Sequence, residues 1–168
     1  VVLQEGLADL ILLGNKEEIL EKSRKLGLTH IERALLIDPA SSDKRSAYAD
    51  MMVELRKSKG LTRNEALDLL NNPLYYGTVM IKHGDADGEV AGADNATGDV
   101  LRPAFQYVKT LPGITVVSGA FLMFLKDKEY GDNGLMVVAD CAVHAKPTDK
   151  ELAEIAVETT KTTRAIAQ

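Results

Sequence analysis

Apolar and polar positions divide the chain into two kinds of segment. ADLILLG (Ala8 to Gly14), ALLID (Ala34 to Asp38), EVAGA (Glu89 to Ala93), ITVVSGAFLMFL (Ile114 to Leu125) and LMVVAD (Leu135 to Asp140) are short, mostly continuous apolar runs. Such runs suit strands buried on both faces, as in parallel sheets. The segments between them carry helical patterns with readable start signals. Asn15 with Glu18, Thr62 with Glu65, and Thr148 with Glu151 each pair a polar cap with an acidic residue three positions on, which satisfies free N–H groups at a helix start. The first helix is expected to end at Gly27, and Pro39 closes the second strand. A helix from about Asp43 to Ser58 would carry Tyr48, Met51, Met52 and Leu55 on one face. Pro73 suits a first helical position, in a helix running to His83. Leu101, Ala104, Phe105 and Val108 form one more helical stripe. The predicted order is β-α-β-α-α-α-loop-β-α-β-β-α, an α/β fold with a mostly parallel sheet flanked by helices.

Around KTLPGI (Lys109 to Ile114) a Pro-Gly turn follows a helix, and long apolar strands begin after it. This predicts an N-terminal α/β domain over 1–112 and the beginning of a second α/β domain over 113–168. KDKEYGDNG reads as a solvated hairpin with Asp132, Asn133 and Gly134 at its tip. VVLQEG leaves no residues for a preceding strand, and the last helix has no strand after it. The chain therefore reads as part of a longer protein, with the first strand and a partner for the final βα unit lying outside it.

Composition narrows the function classes. With 168 residues, 45% of them apolar and 27% charged, one ordinary core can form, with room for the start of another. A net charge of -5 without clustered Lys and Arg argues against a nucleic-acid partner. The most apolar stretch, Ile114 to Leu125, falls short of the ~20 residues that span a bilayer, so no membrane association is expected. Cys141 is the only cysteine, which excludes an internal disulfide and favours a reducing cytoplasm; it is read as buried filler. His30 and His144 are isolated, ordinary turn or surface positions.

The flexible, acidic stretch GDADGEVAGADNATGDVLRP (84–103) invites two chemistries. His83, Asp85, Asp87, Gly88, Val90 and Asp94 fall on positions of a calcium-loop template, but His83 stands where Asp is required and Asp94 where a bidentate Glu is required. A tight DADG turn feeding a strand is the simpler reading. The other chemistry is anion binding. A strand at Glu89 to Ala93, the loop DNATGD and a helix start would present backbone N–H groups at the carboxyl edge of a parallel sheet. Pro103 is tolerated in the first helical turn, which would set Arg102 beside the loop as a planar, permanently charged fork. The plain alternative is Asp99 as the N-cap, with Arg102 paired to a surface carboxylate. Arg56, near a helix C-terminus, is by itself unremarkable.

Several blocks, in order, resemble the phosphate acetyltransferases (phosphotransacetylases): EGLADLILLGN, DMMVELRKSKGLT, GDADGEVAGA, DVLRPAFQYVKT, LMVVADCAV and PTDKELAEIA. The resemblance covers the whole chain. It implies two α/β domains of the isocitrate and isopropylmalate dehydrogenase type, with the active site in the cleft between them. It implies reversible acetyl transfer between acetyl-CoA and inorganic phosphate, giving acetyl phosphate and CoA. No cofactor or metal takes part, coenzyme A being a substrate, and the family's dimers imply a homodimer. Carried over by motif, Arg56 in ELRK and Arg102 in LRP fall on two arginines that hold phosphate or a CoA-derived anion. Gly92, Asn95 and Thr97 fall on the substrate-binding loop. The family usually has Ser where this chain has Ala91 and His where it has Asn95, which leaves fewer side-chain donors toward the acyl group. Its catalytic base and a serine-arginine pair belong to a C-terminal half with no counterpart here, so this stretch alone is expected to be inactive. The resemblance also admits a non-catalytic, acetyl-CoA-sensing module such as those attached to bacterial malic enzymes.

Overall fold

The computed structural model describes residues 1–167. The chain divides into two compact units, Val1–Lys109 and the residues from Thr110 onward.

The first unit opens with a one-turn helix α1 (Val2–Glu5) and a parallel βαβ unit: β1 (Ile11–Leu13), α2 (Lys16–Lys25) and β2 (Leu35–Ile37), with Ile11 beside Leu35 and Leu13 beside Ile37. Parallel neighbours need a crossover, and α2 supplies it. Asn15 starts α2 by accepting from the backbone N–H groups of Glu17 and Glu18 at 3.0 and 3.1 Å. The helix stops at Lys25, and Gly27 at φ 63° turns the chain away in a conformation that costs a glycine little. Neither strand is buried on both faces: the residues of β1 are half-buried, and Leu35 of β2 is exposed.

Four helices follow, α3 (Arg45–Leu55), α4 (Arg63–Leu69), α5 (Pro73–His83) and α6 (Thr97–Pro103). They bury most of the unit's core. Tyr48, Ala49 and Met52 of α3, Ala66 of α4, Leu70, and Tyr76, Val79 and Met80 of α5 pack together with Tyr107. Thr62 and Glu65 form the complete reciprocal cap at α4. Pro73 occupies the first position of α5, where its missing N–H is no loss. The Tyr48 and Tyr76 rings meet edge-on at 5.2 Å. The helix predicted from Asp43 to Ser58 is shorter, giving way after Leu55 to a tight turn over Lys57–Lys59.

The strand predicted at Glu89 to Ala93 does not form; those residues have no regular structure and are exposed. Glu89 interrupts the apolar run, and its carboxyl end folds back onto α5 instead of pairing along a sheet. The stripe predicted after the loop is also rotated. Phe105 and Val108 are exposed at 45% and 38%, whereas Pro103 and Tyr107 are buried. The cause is a wide turn over Ala104–Val108, in which the Lys109 N–H reaches back five residues to the Ala104 carbonyl at 3.0 Å. Pro103 has no N–H to donate, so the regular ladder is already broken there, and winding beyond it changes the period of the buried face.

The second unit is a hairpin with a helix. β3 (Ala120–Phe124) and β4 (Leu135–Ala139) pair antiparallel, with Phe121 opposite Val138 and Met123 opposite Met136. The run from Ile114 yields a strand only from Ala120, and the sheet here is antiparallel, so among the described residues parallel pairing is confined to β1 and β2. Phe121, Met123, Met136 and Val138 are exposed, which corrects the expectation of strands covered on both faces. α7 (Asp149–Ile166) begins with a full Thr148–Glu151 capping box and buries Ile155. Glu154 of α7 accepts from the N–H groups of Thr115 and Val116 at 2.6 and 2.9 Å, fixing the stretch before β3. Cys141 is half-buried rather than buried and donates its S–H to the Val138 carbonyl at 2.9 Å.

Candidate functional site

Arg56 stands where α3 ends. Its N–H caps the helix by bonding to the Met52 carbonyl at 3.0 Å, and Gly60 at φ 72° reverses the chain just beyond. The turn between them leaves the guanidinium facing an open cavity of about 600 Å³. The walls come from three sources: Lys59, Gly60 and Leu61 after α3; Glu65, Asp68 and Leu69 of α4 with Asn72; and Tyr75 of α5 with Gln106 and Tyr107 from the wide turn after α6. Arg56 is half-buried and makes no ion pair within 4 Å among the described residues.

An arginine in such a place keeps its charge, because guanidinium does not deprotonate in proteins, and its five donors need acceptors. Two acids, Glu65 and Asp68, line the same cavity; neither pairs with Arg56 within 4 Å, and the Glu65 carboxylate is spent on the Thr62 cap, whose hydroxyl and N–H groups hold its pKa below the usual glutamate range. Tyr107 is almost wholly buried, 1% exposed, and burial pushes its phenol up while the Arg56 charge pulls it down. Its ring stacks edge-on against Tyr75 at 6.2 Å. The cavity thus offers a cation, an aromatic wall and the amides of Asn72 and Gln106, a donor set suited to an anionic group attached to a flat or apolar body.

The remaining site candidates lie elsewhere on the first unit. Arg102 is exposed and pairs with Asp99 at 3.5 Å, and it does not line the Arg56 cavity. It sits in the last turn of α6 instead of the first, because the helix begins at Thr97, earlier than the proline suggested. Ala96 is the N-cap and provides no side-chain bond; Asp99 lies within the first turn instead of capping it. Thr97 is therefore the first helical residue, and Gly92 and Asn95 precede it in an exposed turn, where the Asn95 N–H bonds the Gly92 carbonyl at 3.4 Å. The structure brings Gly92, Asn95 and Thr97 into one short segment and leaves Arg56 apart with its aromatic wall.

His83 and Asp85, from the template considered for calcium, are engaged within the protein. Asp85 accepts from the Tyr48 hydroxyl, lies 3.4 Å from the Lys44 ammonium and faces His83 Nδ1 at 2.9 Å. The Tyr48 hydrogen bond leads among the causes that hold the Asp85 carboxyl below its usual range.

Tyr75, Gln106 and Tyr107 were not legible as site residues. A tyrosine in an apolar stripe reads as core, and only the wide turn after Pro103 shows that Tyr107 faces inward beside Arg56, far away in sequence.

The family model described as phosphate acetyl/butaryl transferase matches residues 1–168. A phosphate acetyltransferase of Thermoanaerobacterium thermosaccharolyticum is 46% identical over 166 residues, covering 99% of this chain and 50% of that protein. That of Clostridium acetobutylicum is 45% identical over 163 residues, covering 97% and 49%. Among solved structures, a phosphotransacetylase from Streptococcus pyogenes superimposes with a TM-score of 0.86 at 39% identity, over 97% of this chain and 48% of that one. The EutD phosphotransacetylase from Staphylococcus aureus gives 0.82 at 38% identity, over 94% and 45%. The chain spans about half the length of these two phosphate acetyltransferases.

Proposed function

The chain belongs to the phosphate acetyl/butaryl transferase family, and on that premise we propose that the protein carrying it transfers an acetyl group reversibly between acetyl-CoA and inorganic phosphate. The observation that supports this most is Arg56: a half-buried guanidinium, without an ion pair among the described residues, facing a cavity beside Tyr107. In our reading it holds an anionic group, phosphate or part of CoA, and Arg102 supplies a second cation when a ligand draws it from Asp99.

The chemistry asks for charge stabilisation more than covalent work. The CoA thiolate attacks the acetyl carbonyl of acetyl phosphate; a C–S bond forms as the C–O bond to phosphate breaks, and the phosphate leaves with the electron pair. Negative charge builds on the carbonyl oxygen and the departing phosphate, so cations and N–H donors fixed in advance lower the barrier. Gly92, Asn95 and Thr97 are proposed to present donors to the acyl phosphate. CoA is a substrate, and no further cofactor enters the scheme. A two-domain fold of the isocitrate dehydrogenase type, a homodimer and a cytoplasmic setting complete the proposal. No helix among the described residues is long and apolar enough to cross a membrane.

The test is formation of acetyl phosphate from acetyl-CoA and phosphate by the full protein that carries this chain. Turnover above the uncatalysed rate supports the transferase. Binding of acetyl-CoA without any acetyl phosphate would replace it with a sensing module.

A further inference from the structure

α5 carries a glycine in its middle, Gly77, where a helix ordinarily loses about 0.5–1 kcal/mol relative to alanine. The space left by the missing side chain is filled. A Cβ built on Gly77 would stand 3.0 Å from both Cδ and Oε1 of Glu89 and 3.3 Å from Oε2. The Glu89 carboxyl group therefore lies in the notch that only glycine leaves open. Beside it, Thr78 Oγ1 is 2.7 Å from the Leu74 carbonyl and 3.1 Å from Glu89 Oε2. A hydroxyl has one proton, and the shorter contact, to a carbonyl that can only accept, takes it. The longer contact forms when the hydroxyl turns toward Glu89 Oε2 instead; burial pushes this carboxyl up from the ordinary glutamate range against the opposing pull of that Thr78 bond. No Lys, Arg or His among the described residues pairs with Glu89; on α5, His83 faces Asp85 instead.

Glu89 stands three residues before Gly92 and six before Asn95, in a segment with hardly any backbone bonds of its own: Asp85 N–H to the Met80 carbonyl at its start and Asn95 N–H to the Gly92 carbonyl near its end. We propose that Glu89 is a positioning residue, whose carboxyl group, seated in the Gly77 notch and bonded to Thr78, pins the substrate segment carrying Gly92 and Asn95 to α5. This rests on the acetyl-transfer reading above. Pinning matters because a donor that must be ordered when substrate arrives gives back binding energy as lost freedom of the chain.

Two readouts test it in the full protein that carries this chain. Thermolysin cleavage before Val90 reports whether the segment is held, and steady-state kinetics report whether holding it matters. Gly77→Ala is the cleanest variant: it changes no residue of the segment, favours the helix, and meets only the movable end of Glu89. Gly77→Ala and Glu89→Ala should be cut faster at unchanged or higher Tm, and raise KM for phosphate about five- to tenfold with kcat nearly unmoved, the size of one net hydrogen bond. Glu89→Gln should behave as the parent, since its amide keeps the shape of the carboxyl group and a hydrogen bond to Thr78. Cleavage equal in all four proteins overturns the latch. Faster cleavage with unmoved KM, or Glu89→Gln behaving as Glu89→Ala, overturns the positioning role. A parent that forms no acetyl phosphate would remove the transferase reading, while the cleavage rates would still decide whether Glu89 holds the segment.

Discussion

Arg102 and Asp99 face each other one turn apart on α6, 3.5 Å between guanidinium and carboxylate, with both side chains more than half exposed. An exposed pair of this kind contributes little to stability, on the order of 0–1 kcal/mol, so what Arg102 does for a ligand can be separated from what it does for the fold.

Replacing Arg102 with alanine should leave the melting temperature within about 2 °C of the parent while raising KM for phosphate or CoA. Asp99→Ala should do the opposite to KM, since it frees the guanidinium without removing it. Kinetics of Arg102→Ala equal to the parent's would sink its assigned role.

At Arg56 the direction is the same and the size larger. Loss of a hydrogen bond to a charged group costs about 1.5–3 kcal/mol, on the order of ten- to a hundredfold in KM. Arg56→Lys should recover only part of this, because an ammonium cannot reproduce the planar fork. Isothermal titration with CoA gives the comparison without relying on turnover. If the lysine variant bound as the parent does, bidentate recognition would be refuted.

The two reciprocal caps should each be worth about 1 kcal/mol, so Thr62→Ala and Thr148→Ala should lower the unfolding free energy by that amount. Thr62→Ala carries a second expectation: it frees the Glu65 carboxylate on the wall of the Arg56 cavity and should weaken anion binding there. Urea unfolding measures the first effect and CoA titration the second.

Asp140 gives a pH prediction. Desolvation alone would raise its pKa, yet N–H donors from Gly119, His144, Ala142 and Val143 together outweigh that and hold it at about 2. A carboxyl depressed in the folded state stabilises above its unfolded pKa and loses that contribution as pH falls through the folded value. The Tm difference between parent and Asp140→Asn should therefore be full at pH 6 and shrink from about pH 4 toward pH 2. A difference constant over that range would show that the four bonds do not depend on the charge.

Local chemistry made much of this protein legible from its sequence alone. Asn15, Thr62 and Thr148 start helices because a side-chain oxygen and the N–H groups it satisfies lie within three residues, and Pro73 to His83 is a helix over its predicted span. The ordered blocks likewise fixed the family. What depended on distant partners was decided by the tertiary structure. EVAGA has the apolar look of a strand, but Glu89 found a notch on α5, and its carboxyl end is held there by Thr78 instead of the run pairing along a sheet. Phe105 and Val108 lost the buried face to Tyr107 because Pro103 broke the ladder and a wide turn reset the period. Arg56 was ambiguous by position, a cation at a helix end, until folding set it in a cavity with Tyr107 and Asn72, without an ion pair within 4 Å among the described residues. Caps and periodicity act within a turn or two of helix; a site is made by side chains tens of residues apart, and only their packing determines which of them meet.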